Sequence, residues 1–440
     1  MIKFSLSSEE INSNGGFSIV RRLLDLNPGM ALWDSKLAAR HNALYSTSSI
    51  VRSMIGLMTA GESDYSSICK FRNDLLLRQL AGGELPDQTT FRQRLNALAG
   101  ADWEGVLDLC VANQLRRARL TRLRFDGMEL VPLDIDVSVL EDKASRKEGV
   151  SRTYHNVDGY APIFCHAGRE GYMVANELRP GSQHSEKGAV DFLKRCVAIM
   201  QMAGFKAHEL LVRVDSGHDS SDFIETLDEL GVRYLVKRNL RSESREQLLD
   251  TIRFYESPEV VRPGKTIFRG VRSDRRPCGY PGYKGFMAVQ ATERTSLANG
   301  QRLLMPSVEV DSWWTNLPSD VRMCSALHND HGTSEQFHSE LKSDMNVELL
   351  PSGRMATNSL VLGLATLAFN CLRAIGQAAL SCEPPPQNEE KRLIRHRLRT
   401  VLLDYIKVGC KVVSHAGQTL LKFGRSCWNF LIIKRIYETA

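Results

Sequence analysis

The spacing of apolar residues first predicts a helical region. From about residue 17 to residue 120, apolar residues recur at helical spacing, and Gly and Pro separate the segments. Within this region, residues 86–95 predict a turn followed by a short helix that displays Arg92 and Arg94. Such a helix is suited to a DNA groove, but an ordinary surface helix is an equal alternative.

The period then changes from helical to alternating. Leu133, Ile135 and Val137 alternate with Asp134 and Asp136. This alternation predicts a half-buried strand in which the two aspartates share one face.

Further strands and helices follow in a regular order. The pattern predicts strands at 161–167 and 172–178, a helix at 186–202, a strand at 210–214, a helix at 222–230 and a strand at 234–236. Asp215 follows the fourth strand of this series directly. The order predicts an α/β fold with a mixed sheet flanked by helices.

The regular alternation of strands and helices ends near residue 240. Prolines, glycines and short strand-like pieces alternate from 240 to 311, which indicates a β-rich insertion. Trp313 and Trp314 are predicted to return the chain to the sheet. The prolines of Glu383–Pro386 indicate a linker to a basic helical tail.

The apolar stretch 360–380 is long enough to span a membrane. It contains Asn370, Arg373 and Gln377, so a buried helix is the favoured interpretation, and no membrane partner is expected.

Composition limits the class of protein. A chain of 440 residues predicts two or three cooperating units, and 42% hydrophobic with 25% charged residues is typical of a globular protein. The net charge of +6 is informative only if the basic residues are clustered, as they are near 116–119, 269–276 and 391–399. These clusters could neutralise phosphates, but a solvated surface is the slightly favoured interpretation of each. Ten cysteines without a C-x-x-C pair indicate neither a zinc site nor a disulfide framework, so a cytoplasmic location is expected.

Three carboxylates on separate elements could gather at one sheet edge. Phosphoryl transfer on DNA uses two divalent cations about 4 Å apart, and Mg²⁺ prefers carboxylate oxygens. We predict that Asp136, Asp215 and Glu335 hold two Mg²⁺ ions, for which Mn²⁺ is an expected substitute. Asp134 competes with Asp136 for this role and is the better candidate for a structural group.

Two weaker competitors lie close to the second candidate. Asp219 and Asp222 follow Asp215 within a few residues.

The helix that carries Glu335 can be examined by geometry. Thr333 and Gln336 form a T-x-x-Q pattern, which predicts a capping box at the helix start. At about 100° per residue, Glu335, His338 and Lys342 fall on one face, with the apolar residues opposite. Lys342 is therefore predicted to point into the same cleft and contact a DNA phosphate.

Four passages resemble one known family, the DDE transposases of bacterial insertion sequences. They are residues 133–138, 211–217, 314–317 and 331–336, the last continued by Lys342. The resemblance implies an RNase H-like catalytic domain with Asp136, Asp215 and Glu335 as its catalytic residues. It also implies a β-rich insertion between the second aspartate and the glutamate.

The last passage departs from the family pattern Y-x-x-R-G-T-[AS]-E-Q. His328 occupies the tyrosine position and His331 the arginine position. Since histidine lacks the permanent forked charge of arginine, we expect a weaker or pH-dependent DNA contact here. Family members often stack a displaced base on a tryptophan, so Trp313 and Trp314 are candidates, although a core role suits at least one of them.

These observations predict a DNA transposase with five segments. They are a helical N-terminal DNA-binding region (1–120), an RNase H-like core (121–239), a β-rich insertion (240–311), the completion of the core (312–380) and a basic helical tail (381–440). The resemblance implies terminal inverted repeats and target DNA as partners and a homodimer on DNA. The alternatives are a transposase-derived DNA-binding protein that has lost chemistry and an RNase H-like nuclease that cuts without joining.

Overall fold

The structure is a computed structural model that describes most of the chain. The described residues are 2–5, 9–38, 43–143, 145–277, 279–318, 320–382, 393–415 and 418–439. The predicted linker Glu383–Pro386, together with Lys391 and Arg392 of the basic cluster, lies outside them.

Helices and strands both contribute extensively to the described residues. The helices are α1 (Phe17–Asp25), α2 (Leu32–Lys36), α3 (Thr47–Thr59), α4 (Leu75–Ala81), α5 (Gln88–Leu98), α6 (Glu104–Arg117), α7 (Ala189–Met202), α8 (Ser221–Glu229), α9 (Arg245–Ile252), α10 (Val321–His331), α11 (Ser334–Ser339), α12 (Met355–Cys382), α13 (Leu398–Val401) and α14 (Phe430–Thr439). The strands are β1 (Ile11–Asn12), β2 (Leu123–Phe125), β3 (Met128–Val137), β4 (Leu140–Glu141), β5 (Ser151–Arg152), β6 (Asp158–Tyr160), β7 (Ile163–Ala167), β8 (Tyr172–Glu177), β9 (Leu210–Val214), β10 (Arg233–Lys237), β11 (Glu259–Arg262), β12 (Lys265–Arg272), β13 (Phe286–Ser296), β14 (Arg302–Thr315), β15 (Cys410–His415) and β16 (Gln418–Phe423).

A large mixed sheet flanked by helices forms the centre of the fold. Its strand order is β11-β12-β13-β14-β10-β9-β3-β7-β8, with β2 paired to β3. The strands β3, β7 and β8 form an antiparallel meander, while β9 and β10 run parallel to β3. Parallel neighbours need a crossover connection, and α7 and α8 supply it. The predicted fold class and element order are therefore confirmed.

The turn between β7 and β8 shows why the sequence places glycine there. Gly171 has a φ of 73°, which favours glycine. A Cβ on Gly171 would also lie 2.3 Å from the ring of Phe337. The meander and α11 can pack this closely only because the side chain is absent.

The segment after β10 extends the same sheet. β14 pairs antiparallel with β10, Val236 opposite Trp314, and β13, β12 and β11 continue outward. β14 runs from Arg302 to Thr315 without a break, so it crosses the boundary expected at residue 311. The β-rich character of the segment is as predicted.

The long helix α12 lies against the edge of the sheet. It is apolar and long enough to cross a membrane, but most of its residues are buried inside the protein, as the core helix of a soluble fold requires. Asn370 is a polar residue within this helix, and both ends of its side-chain amide are used. The amide oxygen accepts a hydrogen bond from Met173 N at 2.8 Å, and the amide nitrogen donates one to Met173 O at 2.9 Å. The backbone N–H and C=O of Met173 on β8 are thereby satisfied.

The N-terminal helices join this core and do not stand apart from it. α3, α5 and α6 all contact α12, and one hydrophobic cluster runs from Phe17 through α12. Asp87 caps α5 by accepting from the backbone amides of Thr89 and Thr90, which confirms the predicted turn and helix. Arg92 is exposed, whereas Arg94 donates to Tyr45 O at 2.7 Å.

The C-terminal region differs from the predicted helical tail. β15 and β16 form a hairpin that pairs with β1, and α14 follows. The sequence signal of this hairpin is weak because Lys411 and Lys422 interrupt its short apolar runs. Arg397 of the basic cluster pairs with Asp344 at 2.9 Å, so its charge is already partly neutralised.

The sequence pattern also did not reveal a small sheet between β3 and β7. It has the strand order β4-β6-β5. Its strands of two or three residues are too short to show a period.

A buried ion pair joins α12 to the π-helical turn Glu340–Asp344. Glu340 and Arg373 are both almost fully buried. We expect Glu340→Ala to lower the free energy of unfolding by about 3–5 kcal/mol, because it leaves the guanidinium buried without its counter-charge. Urea denaturation measures this. Glu438→Ala, which removes an exposed partner of Lys434, is the control and should change stability little. Equal effects would contradict the interpretation.

Candidate active site

Asp136 and Asp215 lie side by side at one edge of the parallel part of the sheet. The register of β3 and β9 pairs Ile135 with Val214, so the next residue on each strand is an aspartate. Neighbouring strands lie about 4.8 Å apart, which places the two carboxylates in the same small region. The sequence could not show this, because it does not give the register.

The Asp215 side chain is positioned by the turn that it begins. Its Oδ1 accepts from Gly217 N at 3.1 Å and lies 3.0 Å from His218 Nδ1. Burial acts to raise the pKa of Asp215, but His218 and Gly217 more than offset it, so the pKa lies below its usual value. With 51% of its side chain exposed, Asp215 is an accessible carboxylate anion.

Asp136 occupies a very different environment. Burial raises the pKa of this side chain to about 6; the neighbouring Asp215 carboxylate adds to the rise and His331 opposes it. Only 22% of the side chain is exposed. Two neighbouring carboxylates that repel each other, one of them with little exposure, are an arrangement that a bound cation relieves.

Asp134 serves the structure, as the sequence interpretation favoured. Its carboxylate accepts from Arg213 Nε at 2.7 Å and Nη2 at 2.8 Å, and both side chains are 1% exposed. Arg213 also donates to Leu327 O and to Asp330, both on α10. This buried network fastens β3, β9 and α10 to one another.

The helix after α10 faces Asp136 with Ser334 and His338. Ser334 Oγ donates to Asp136 Oδ2 at 3.4 Å, and His338 Nδ1 lies 3.9 Å from the same oxygen. Burial, with Lys342 and His331, lowers the pKa of His338 to about 3, so its ring is neutral at physiological pH. His338 is therefore a buried neighbour of the site, where an accessible polar face was expected.

Glu335 lies beside this contact but is directed elsewhere. It is exposed, and it borders a groove of about 620 Å³ together with Gln336, Arg395 and Arg397. Within the described ranges, no cluster of three or more acidic, His or Cys side chains is arranged to hold a metal ion. The structure thus brings two of the three predicted carboxylates together and leaves Glu335 on the adjacent helical face.

The apolar face of this helix agrees with the prediction, whereas its N-terminal cap does not. The apolar Phe337 and Leu341 are fully buried, as expected. The capping box is wrong: Thr333 makes no cap to the helix and donates instead to Asp330 O, because α10 runs almost directly into α11. Burial lowers the pKa of Lys342, while the charges of Glu348 and Asp136 act to raise it.

Comparison with known proteins bears on the function of this site. A family model described as transposase DDE domain group 1 matches residues 1–255. The chain belongs to this transposase family. The matched segment contains Asp136 and Asp215 and ends before Glu335.

The remaining comparisons are less informative for this transposase. No curated protein matches it. The solved structure of a piggyBac transposase synaptic complex with hairpin DNA is similar over 91% of this chain and 82% of that chain, at 12% identity and a TM-score of 0.45.

The two histidines of this transposase are held inside the protein, where a weaker or pH-dependent contact to DNA was predicted. His331 is nearly buried and its Nδ1 lies 2.8 Å from Asp134 Oδ1. Burial lowers the pKa of His328 to about 4, and its ring packs against Trp313. The predicted DNA contact of both is therefore corrected. His331 is paired with a buried carboxylate, and His328 is uncharged at neutral pH.

The two tryptophans are also corrected, because neither offers a free ring face. Trp313 is 1% exposed and belongs to a hydrophobic cluster with Leu327. Trp314 is 4% exposed, donates from Nε1 to Asp219 at 2.9 Å, and has Arg238 over its ring. Asp219 is thereby occupied as an acceptor, which removes it as a competitor of Asp215.

Sequence reasoning missed three residues of the site. His218 and Ser334 touch the aspartates, and Tyr154 donates to Val137 O, next to Asp136. Only His218 left a signal, since it follows Asp215 by three residues. The other two approach from distant segments.

The opposite pKa shifts of the two aspartates predict opposite effects on stability. Asp136 has a raised pKa, so its ionisation opposes folding above about pH 6 and has no cost below about pH 4. In metal-free buffer at pH 8, Asp136→Asn should therefore raise the free energy of unfolding by about 2 kcal/mol. The gain should disappear as the pH falls from 6 to 4.

Asp215→Asn is the matched control. Its lowered pKa means that ionised Asp215 stabilises the fold above its unfolded pKa, so this variant should be less stable at pH 8. Thermal unfolding across the pH range measures both variants. A shift of the same sign in both would refute the electrostatic description.

Proposed function

We propose that this transposase cleaves DNA at the ends of its mobile element and joins the freed 3′-hydroxyl to target DNA. The observation that carries the proposal is the pair Asp136 and Asp215 on adjacent strand ends, where charge repulsion and the low exposure of Asp136 favour a divalent cation. The family supports DNA transposition as the setting.

The donor set fits Mg²⁺ in part. Asp136 and Asp215 supply hard oxygen ligands from one sheet edge, and Glu335 is proposed as the third ligand from α11. Two bound Mg²⁺ ions, or Mn²⁺ in their place, would supply Lewis-acid activation of the attacking and leaving oxygens. Because Glu335 directly follows Ser334, which contacts Asp136, the third carboxylate starts from a neighbouring backbone position.

The chain's own residues prepare this site. Gly217 and His218 hold the Asp215 carboxylate in place, and the buried Asp134–Arg213 pair holds β3 against β9. Lys342 is proposed to contact a phosphate of the bound strand.

The DNA partners are proposed to be terminal inverted repeats and target DNA. Two ends must be brought together for transposition, so we propose a homodimer on DNA. The exposed Arg92 of α5 is proposed to contact the DNA outside the active site. Arg94 is not proposed as a DNA contact, because its guanidinium donates to Tyr45 O.

A second candidate is a DNA-binding descendant without chemistry. It is favoured by the position of Glu335, which borders the groove with Arg395 away from the aspartate pair. Cleavage assays separate the two candidates.

We expect Glu335→Ala to reduce cleavage to background while DNA binding is retained, because the third ligand is lost and the fold is untouched. The substrate is a plasmid that carries the gene with the DNA on both sides of it. Glu225→Gln, which changes an exposed carboxylate of α8, is the control and should cleave normally. Cleavage by the parent protein in excess EDTA would refute the metal-dependent proposal, and cutting without strand transfer would indicate a nuclease.

We expect Arg92→Ala to weaken DNA binding and to reduce the slope of log affinity against log salt by about one, because one phosphate contact is lost. Fluorescence anisotropy at several salt concentrations measures this slope. Arg21→Ala, which removes an exposed arginine paired with Asp25 on α1, is the control. Equal slopes for the parent and Arg92→Ala would remove α5 from the DNA interface.

A further inference from the structure

The loop between β8 and α7 passes beside the turn that Asp215 begins. A serine just before a helix ordinarily accepts hydrogen bonds from the free backbone amides of the first turn. Ser185 does not cap α7, whose N-cap is Gly188 and which has no side-chain cap among the described residues. Its hydroxyl instead donates to Gly217 O at 2.9 Å. The polar side chain of Ser185 therefore connects two segments that are distant in the chain.

Gly217 links this hydrogen bond to the Asp215 carboxylate. Its carbonyl oxygen accepts from Ser185, and its amide donates to Asp215 Oδ1 at 3.1 Å. A Cβ on Gly217 would lie 2.9 Å from Ser185 Oγ and 3.1 Å from Asp215 Oδ1, so the three residues are closely packed. Ser185 thus acts on the carboxylate through the backbone of one glycine.

Ser185 is itself held by a buried arginine. The side chain of Arg179 is 1% exposed, and it donates from Nε to Glu177 at 2.8 Å and from Nη1 to Ser185 O at 3.1 Å. The same loop is attached to β5, where Ser182 N donates to Ser151 Oγ at 2.8 Å. A hydroxyl on a loop fixed at several points can fix the backbone that it binds.

The orientation of Asp215 matters for a bound cation. Its side chain is 51% exposed, so burial alone does not fix its direction. Gly217 and His218 both contact Oδ1, and Oδ2 remains available to a cation within the described part of the chain. Loss of a group that orients a metal ligand typically costs about 10–100-fold in metal affinity or activity.

We propose that Ser185 is a positioning residue for metal binding at the aspartate pair. Its hydroxyl fixes the Gly217 peptide, and this peptide orients the Asp215 carboxylate. The inference rests on the proposed function, which supplies the divalent cation.

Mn²⁺ binding to the full-length protein without DNA, measured by electron paramagnetic resonance, tests this role. Ser185→Ala should raise the Kd for Mn²⁺ by roughly tenfold, because Asp215 loses its support. Ser185→Thr keeps a hydroxyl and should restore most of the affinity. Ser182→Ala is the matched control, because it removes a hydroxyl of the same loop that contacts Ser151 at 3.2 Å. This control should leave the Kd unchanged.

Hydrogen exchange of residues 215–220 is a second readout that needs no metal. In metal-free buffer, mass spectrometry should show faster exchange of this segment in Ser185→Ala, because the Gly217 peptide is released. Ser182→Ala should exchange like the parent. Since each variant loses one hydroxyl contact, their melting temperatures in metal-free buffer should agree.

A double variant examines the link through Gly217. Gly217→Ala should also weaken Mn²⁺ binding, because its Cβ crowds Ser185 and Asp215. Combined with Ser185→Ala, the total loss should be smaller than the product of the two single losses, since both changes disrupt one connection. Independent, fully multiplicative losses would contradict an action through Gly217.

Three other outcomes would overturn the positioning role. They are an unchanged Mn²⁺ affinity in Ser185→Ala, an equal loss in Ser182→Ala, and unchanged exchange of residues 215–220. The failure of the proposed function would look different. A parent protein that neither binds Mn²⁺ nor cleaves DNA would sink the metal-dependent proposal, and faster exchange in Ser185→Ala would still show that Ser185 holds the turn. Metal-dependent cleavage by the parent, with a normal Kd in Ser185→Ala, would do the reverse.

Discussion

The pairing of β3 with β9 is the constraint on which the site depends. The two strands run parallel, and the buried ion pair between Asp134 and Arg213 lies across them. Removing either partner would leave an uncompensated charge inside the sheet, which is strongly unfavourable. The pair therefore discourages any other register. Two residues further along, the same register brings Asp136 beside Asp215.

The site is assembled at a cost to stability. Asp136 is held with little exposure next to a second carboxylate, and its pKa is raised to about 6 as a result. Asp215, by contrast, is favoured as an anion by His218 and the Gly217 amide. The surrounding fold tolerates the unfavourable member because α12 and the meander bury a continuous core around it. Carboxylates with such perturbed pKa values are concentrated at functional sites.

Two inserted segments extend the sheet and determine which aromatic side chains are exposed near the aspartates. The strands after β10 lengthen the sheet and bury Trp314 in it, with Asp219 as hydrogen-bond acceptor. The short β4-β6-β5 sheet instead brings an exposed aromatic side chain, Tyr154, to the carboxylates. Exposed aromatic surface near the two aspartates thus comes from the segment between β3 and β7. It does not come from Trp313 and Trp314 of β14, which are buried.

The sequence by itself determined the order of the elements from β7 to β10 and the strand that carries Asp136, since alternation and helical spacing are local properties of the chain. It also determined that Asp215 ends a strand. The prediction that the strand of Asp136 is half-buried was wrong, because Asp134 is buried on the polar face as well. Tertiary structure alone decided that β3 and β9 are neighbours, that His331 is buried against Asp134, and that Glu335 faces a different groove from the aspartates. These facts depend on register, on burial and on small helix rotations, which arise from contacts between residues far apart in the chain.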